Sequence, residues 1–217
     1  MPEAPLRQTP HTTVRRAERG SQDRGLAHAI LDEAFVAHVG FVVADQPFVV
    51  PMVYGRIDDT LYLHGAPGTR LLRTLASGAP VCITVTIVDA LVLAKSQMHH
   101  SANYRSLVIL GRATRVDGAE AERALRAVVD HALPGRSREA RPANEQELRR
   151  TAVLAVPIDE ASVKVRSGGP VDDDDDLSLE VWSGIVPVLT VFGDPSPDAV
   201  TGDALPVPAS AMSAVHR

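Results

Sequence analysis

Apolar residues first become periodic between Gly25 and His38, where Leu26, Ile30, Leu31, Ala34, Phe35 and Val36 recur at helical spacing behind Asp23, a capping residue type. This pattern predicts a short amphipathic helix. The next stretch, GFVVADQPFVVPMVYGRIDDTLYLHG, has apolar runs at 41–44, 48–54 and 61–63 separated by the turn chemistries DQP and RIDD. It predicts a three-stranded antiparallel meander. In APGTRLLRTLASGAP, Thr69 precedes Leu71, Leu72 and Leu75 and the run stops at Gly78, which fits a short helix. β-Branched residues return in VCITVTIVDALVLAK, interrupted by Asp89, and again in YRSLVILGRATRV.

From Glu120 to Leu133 the apolar face is Ala124, Leu125, Val128 and Val129, a helix. The polar connection PGRSREARPANEQELRR leads into TAVLAVPID, a strand by alternation that residues 162–166 extend, and EVWSGIVPVLTVFG is the last ordered segment expected. Residues 1–20 lack an apolar period and read as a disordered arm, and 194–217 read as a flexible tail. One domain over 21–193 remains. Six or seven strands with short inserted helices predict an antiparallel barrel, mainly β with flanking helices, and not a doubly wound parallel sheet.

The net charge of −5 and pI near 5.9 argue against a general nucleic-acid or membrane-surface binder, so the expected partner is a small molecule. The one cysteine, Cys82, sits in the apolar run VCITVTIV and reads as core. The polar start carries no secretory pattern and no stretch reaches about 18 apolar residues, so a cytoplasmic location is expected. No glycine-rich dinucleotide fingerprint follows a strand. The run Asp172–Asp176 lacks the spaced ligands of a calcium loop and reads as solvated.

Chemistry concentrates in two places. In LYLHGAPGTRLLR a strand ends at His64-Gly65 and a helix starts near Thr69-Arg70. Backbone amides, a hydroxyl and a guanidinium there would cradle a phosphate, and an ordinary strand-to-helix turn explains the same residues. In HHSANYRSLVILG, Asn103, Tyr104, Arg105 and Ser106 offer a second polar wall; adjacent His99 and His100 on a strand would point to opposite faces, so no metal site is expected. Lys95 and Lys164 would add charge to a site or guard strand edges. Trp182 reads either as a core plug or as a flat wall for a planar ligand.

The segments VVPMVYGRIDDTLYLHGAPGTRLLR, VCITVTIVDALVLAKSQMHHSANYRSLVILGRA and VWSGIVP resemble the flavin-binding split-barrel proteins related to pyridoxamine 5′-phosphate oxidase, in the branch that includes nitroimidazole reductases. The resemblance spans about residues 26–193. It implies a six-stranded antiparallel split β-barrel, a homodimer, and FMN in a groove between subunits. It places Val50, Met52 and Tyr54 along the isoalloxazine edge, Tyr62, His64 and Gly65 near the ribityl chain and ring, and Thr69 and Arg70 on the phosphate. Tyr104, Arg105 and Ser106 would close the site, Trp182 would reach it from the partner, and His64 would be the catalytic histidine beside the substrate. The segment SGIVPVLTVFGDPSP lacks the arginine-and-histidine pattern that grips pyridoxal phosphate in the true oxidase. The function implied is an FMN-dependent reductase of a small electrophile using a nicotinamide nucleotide. The alternatives are a flavin store or redox sensor without turnover, and a split barrel holding haem, which needs a free axial histidine, or deazaflavin.

Overall fold

The computed structural model of the chain describes residues 4–214. A two-residue strand, β1 (Gly20–Ser21), leads to helix α1 (Arg24–Glu33), whose first turn is capped by Asp23 accepting a hydrogen bond from the Leu26 amide. The helix ends at Glu33 and not at His38, because from Val36 onward the side chains alternate between faces and enter a sheet as β2 (Val36–Val43). β2 turns through Ala44 and Asp45, both at positive φ, into β3 (Gln46–Val53), and Phe41 stacks on its cross-strand partner Phe48 with ring centroids 5.5 Å apart.

The chain then leaves this sheet. Tyr54 is fully buried, and its hydroxyl donates to the carbonyls of Leu31 at 2.7 Å and Ala34 at 3.0 Å. Strands β4 (Gly55–Ile57) and β5 (Thr60–Gly65) therefore form their hairpin in a second sheet, which splits the expected meander in two. Helix α2 (Arg70–Ala76) is capped by Thr69. Two long strands follow, β6 (Pro80–Leu93) and β7 (Ser101–Arg112), then the short β8 (Thr114–Val116) and helix α3 (Gly118–Ala132). The polar connection carries two small helices, α4 (Arg136–Glu139) and α5 (Glu145–Arg149), before β9 (Ala152–Pro157) and β10 (Ala161–Arg166). β11 (Gly184–Pro187) and α6 (Ala209–Ala214) complete the elements.

All pairs among the named strands are antiparallel. One sheet runs β1-β10-β7-β6-β2-β3, with β11 also on β6, and the other runs β4-β5-β9-β8. Val39, Ile83, Leu107 and Ile109 of the first sheet meet Leu61, Leu63 and Leu154 of the second in one core, closed at one end by Leu75 of α2. The fold is the mainly β, antiparallel barrel with helices that the pattern predicts. The eleven described strands outnumber the expected six or seven because β1 and β4 are too short for a periodicity to reveal, the segment YRSLVILGRATRV divides into β7 and β8, and the last ordered segment contributes β11.

One close approach fixes α3. A Cβ on Gly55 would stand 2.7 Å from the Val128 amide nitrogen, so only glycine lets the helix backbone lie this near β4.

The N-terminal part of the described chain is tied to the barrel, and the C-terminal part is tied to α4. Leu6 is buried, Arg7 reaches Asp159 at 2.7 Å and Glu160 at 3.0 Å, and Arg24 donates to the Ala4 carbonyl. In the tail, the Ser210 amide and hydroxyl both donate to Glu139. The parts of the expected arm and tail that fall on 1–3 and 215–217 lie outside the described residues. Among the described residues no helix is long and apolar enough to cross a membrane.

Candidate functional site

Alternation along β5 sends Leu61 and Leu63 into the core and turns Tyr62 and His64 to the other face. Tyr62 passes under α3, where it is buried and donates its hydroxyl to Glu120 at 3.1 Å; burial and that carboxylate raise its pKa. His64 lies near the end of the strand, half-buried. Its Nδ1 is buried without a hydrogen-bond partner, and burial lowers the imidazole pKa below its ordinary value. The chain then turns at Gly65, packed against Leu72, and reaches Thr69, whose hydroxyl accepts from the Leu72 amide at 3.4 Å. Arg70 opens α2 and lays its guanidinium on the Phe48 ring, 4.4 Å from the centroid.

A cavity of about 470 Å³ lies between the β2–β3 hairpin and α2, and it brings together Val50, Met52, His64, Gly65, Thr69 and Arg70 from the sequence-derived set. Phe41, Phe48 and Leu72 add apolar walls. Arg70 is its cation and His64 its imidazole. Its size and its few convergent polar groups are those of a small-molecule site.

The remaining sequence-derived residues stand elsewhere. Tyr54 and Tyr62 are core residues, one held by the α1 carbonyls and the other by Glu120. Burial also holds the Tyr54 phenol well above its ordinary pKa. Arg105 is committed to two carboxylates: it grips Glu33 with both terminal nitrogens and Asp89 through Nε and a terminal nitrogen. A register shift between Val88 and Ala90 places Asp89 outside the regular β6–β7 ladder, beside that guanidinium. Ser106 donates to the Lys164 carbonyl at 3.4 Å, and Tyr104 lies under the Lys164 ammonium, 5.7 Å from the ring centroid. Trp182 is 65% exposed, so it is not a core plug. His99 and His100 donate to the Val171 and Ser96 carbonyls, ties within the loops. Lys95 bonds the Val181 carbonyl at 3.0 Å and so holds the segment that carries Trp182.

Two further cavities accompany the first. One, about 640 Å³, is lined by Glu33, Asp89 and Arg105 with Phe35 and Phe192, whose rings meet edge-on at 5.5 Å. The other, about 390 Å³, lies between α3 and the α4–α5 segment and has His64 in its wall as well. Sequence reasoning misses Phe48, although it alternates in register with Val50 and Met52, and it misses Glu33 and Asp89, for which no local pattern announces a distant arginine.

The sequence profile of the family described as Pyridoxamine 5′-phosphate oxidase matches residues 23–165. Among solved structures, a flavocytochrome from Azotobacter vinelandii is 34% identical with a TM-score of 0.88, covering 94% of this chain and 96% of its own. An FAD and heme binding protein from Mycobacterium smegmatis is 33% identical with a TM-score of 0.88, covering 91% and 97%. A putative 5-nitroimidazole antibiotic resistance protein from Bacteroides thetaiotaomicron is 26% identical with a TM-score of 0.57, covering 67% and 86%. No curated protein sequence matches.

Proposed function

Because the chain belongs to the pyridoxamine 5′-phosphate oxidase family of flavin-binding split barrels, we propose that it is a flavin-dependent redox protein whose flavin lies along the cavity of Val50, Met52, Gly65, Thr69 and Arg70. The observation that carries this reading is the composition of that cavity. Its apolar walls suit a flat ring, and Arg70 at its rim suits an anionic tail. Arg105 has no part in the grip, since Glu33 and Asp89 already take its donors. The Mycobacterium smegmatis relative binds FAD, which favours FAD over FMN in this chain as well.

The flavin supplies the two-electron chemistry, and the protein supplies orientation, charge and exclusion of water. Burial lowers the His64 pKa and so favours its neutral form, which would offer an N–H to a small electrophile bound in the same cavity. A nicotinamide nucleotide serves as reductant. Exposed Val36, Val42, Val49 and Val53 form an apolar stripe along the β2–β3 hairpin, and this supports a homodimer formed on that sheet.

A second reading adds a haem. His64 is a histidine in the wall of two cavities and would be the residue to hold a haem, and both the flavocytochrome and the FAD and heme binding protein cover more than nine-tenths of this chain. In this reading His64 would hold the haem, which would add one-electron chemistry to that of the flavin.

The test is the visible spectrum of the purified protein with mass identification of the flavin released by heat, alongside a pyridine haemochrome assay. A flavin band that weakens in Arg70→Ala supports the first reading, and a Soret band lost in His64→Ala with the flavin kept supports the second. A colourless protein that takes up neither cofactor overturns both. Steady NADH or NADPH oxidation stimulated by a nitro compound or quinone separates an enzyme from a flavin store.

A further inference from the structure

The cavity beneath α4 and α5 shares His64 with the Arg70 cavity and is otherwise separate from it. Its floor is the α3 face of Leu125, Val128 and Val129, completed by Leu148 of α5. Most polar groups around it are already committed. Arg141 binds Glu147 through two N–H bonds at 3.0 and 2.7 Å, and the Asn144 amide adds a third bond to that carboxylate at 2.8 Å. The Ser137 hydroxyl donates to Asp130 at 2.6 Å, and the Thr151 hydroxyl donates to the Glu147 carbonyl at 2.9 Å.

Two groups are left over. Arg126 approaches Glu122 at 3.9 Å, beyond hydrogen-bond distance, so its guanidinium keeps its donors. Among the described residues the Nδ1 of His64 has no hydrogen-bond partner. An apolar floor beside a guanidinium whose ion pair with the cavity-lining Glu122 is too long for a hydrogen bond selects an amphipathic anion: the apolar body gains from burial, and the charge gains paired hydrogen bonds that Glu122 does not make.

We infer that this cavity binds a small carboxylate with an aromatic or branched apolar body, its charge on Arg126 and its body on the α3 floor. Arg126 is a binding residue in this site and Val129 sets its volume. The inference stands apart from the flavin reading, because its binding residues are Arg126 and the α3 floor, and His64, the one residue the two cavities share, is given no part in holding the anion.

The test is calorimetric titration of the full chain with 3-phenylpropionate, 3-phenylpropanol and 3-phenylpropylamine, with cofactor content read from absorption in each sample. The acid is expected to bind about tenfold more tightly than the alcohol, and the amine not to bind. Arg126→Ala should bring the acid to the level of the alcohol, Arg126→Lys should restore part of the preference, and Val129→Trp should remove binding of both. Both positions are partly exposed, so these variants are expected to fold. Equal affinity for acid and alcohol, an unaffected Arg126→Ala, or no binding of the acid overturns the inference. A flavin-free sample that still binds the acid sustains it while removing the flavin proposal.

Discussion

Arg105 and Glu33 face each other with both guanidinium termini on both carboxylate oxygens, one bond measuring 2.8 Å, and Asp89 takes the same guanidinium from the other side. The arrangement fastens the end of α1 to the β6–β7 ladder. Glu33→Gln is expected to cost about 1 kcal/mol at pH 7, since the pair is bidentate but half-exposed. Arg105 holds the Glu33 carboxyl below its ordinary pKa. Its folded value therefore lies below its unfolded value, so the stabilisation is complete above about pH 4.3 and is lost as pH falls through the folded value. Urea unfolding of the wild type and Glu33→Gln should differ at pH 7 and converge in acid; a gap independent of pH counts against the pairing.

Arg70 has the opposite standing, because its strongest described contact is an aromatic face, which leaves its donors for a ligand. Arg70→Ala is expected to weaken flavin retention by about tenfold or more, the worth of one charge-assisted hydrogen bond of roughly 1.5–3 kcal/mol. Arg70→Lys should recover only part of it, since an ammonium cannot make the bidentate contact. Equilibrium dialysis against free flavin measures this.

His64 titrates below its ordinary pKa because it is buried with an unpaired nitrogen. A histidine buried in its neutral form contributes stability that is complete above the unfolded pKa of about 6.5 and is lost as pH falls through the folded value. The NMR titration midpoint of His64 should lie below that of exposed histidines. His64→Phe should flatten the loss of stability on mild acidification. A midpoint at or above 6.5 sinks the assignment.

Gly55 is a packing position, and Gly55→Ala forces a methyl against the backbone of α3. The expected cost is about 1–3 kcal/mol, read as a lowered thermal midpoint. Because α3 floors the cavity of Arg126, the same variant should also weaken 3-phenylpropionate binding while leaving the flavin in place.

Much of this molecule is legible in the sequence where the signal is local. Asp23 and Thr69 both cap the helices they precede, and Val50, Met52, His64, Thr69 and Arg70 converge on one cavity as their order along two neighbouring segments suggests. The reading fails where partners are distant. Tyr54 looks like a strand residue facing a ligand, but carbonyls of the preceding helix claim its hydroxyl. Arg105 looks like an anion grip, and its anions turn out to be the protein's own. The contacts of the arm and tail rest on single residues such as Leu6 and Ser210, which make no period for a sequence to show.

Strand β6 is edged twice: Cys82–Thr84 pair with β2 near its start, and Ala90–Leu93 pair with β11 near its end. The first partner precedes β6 closely in sequence, whereas β11 arrives only after the whole of α3, β9 and β10 has been placed. With only four residues, most of them exposed, β11 is the part of the sheet expected to open first. Its amides should therefore exchange with solvent far sooner than those joining β6 to β7. The segment carrying Trp182 would then behave as a separate cooperative unit, able to lift from the barrel while the rest stays folded.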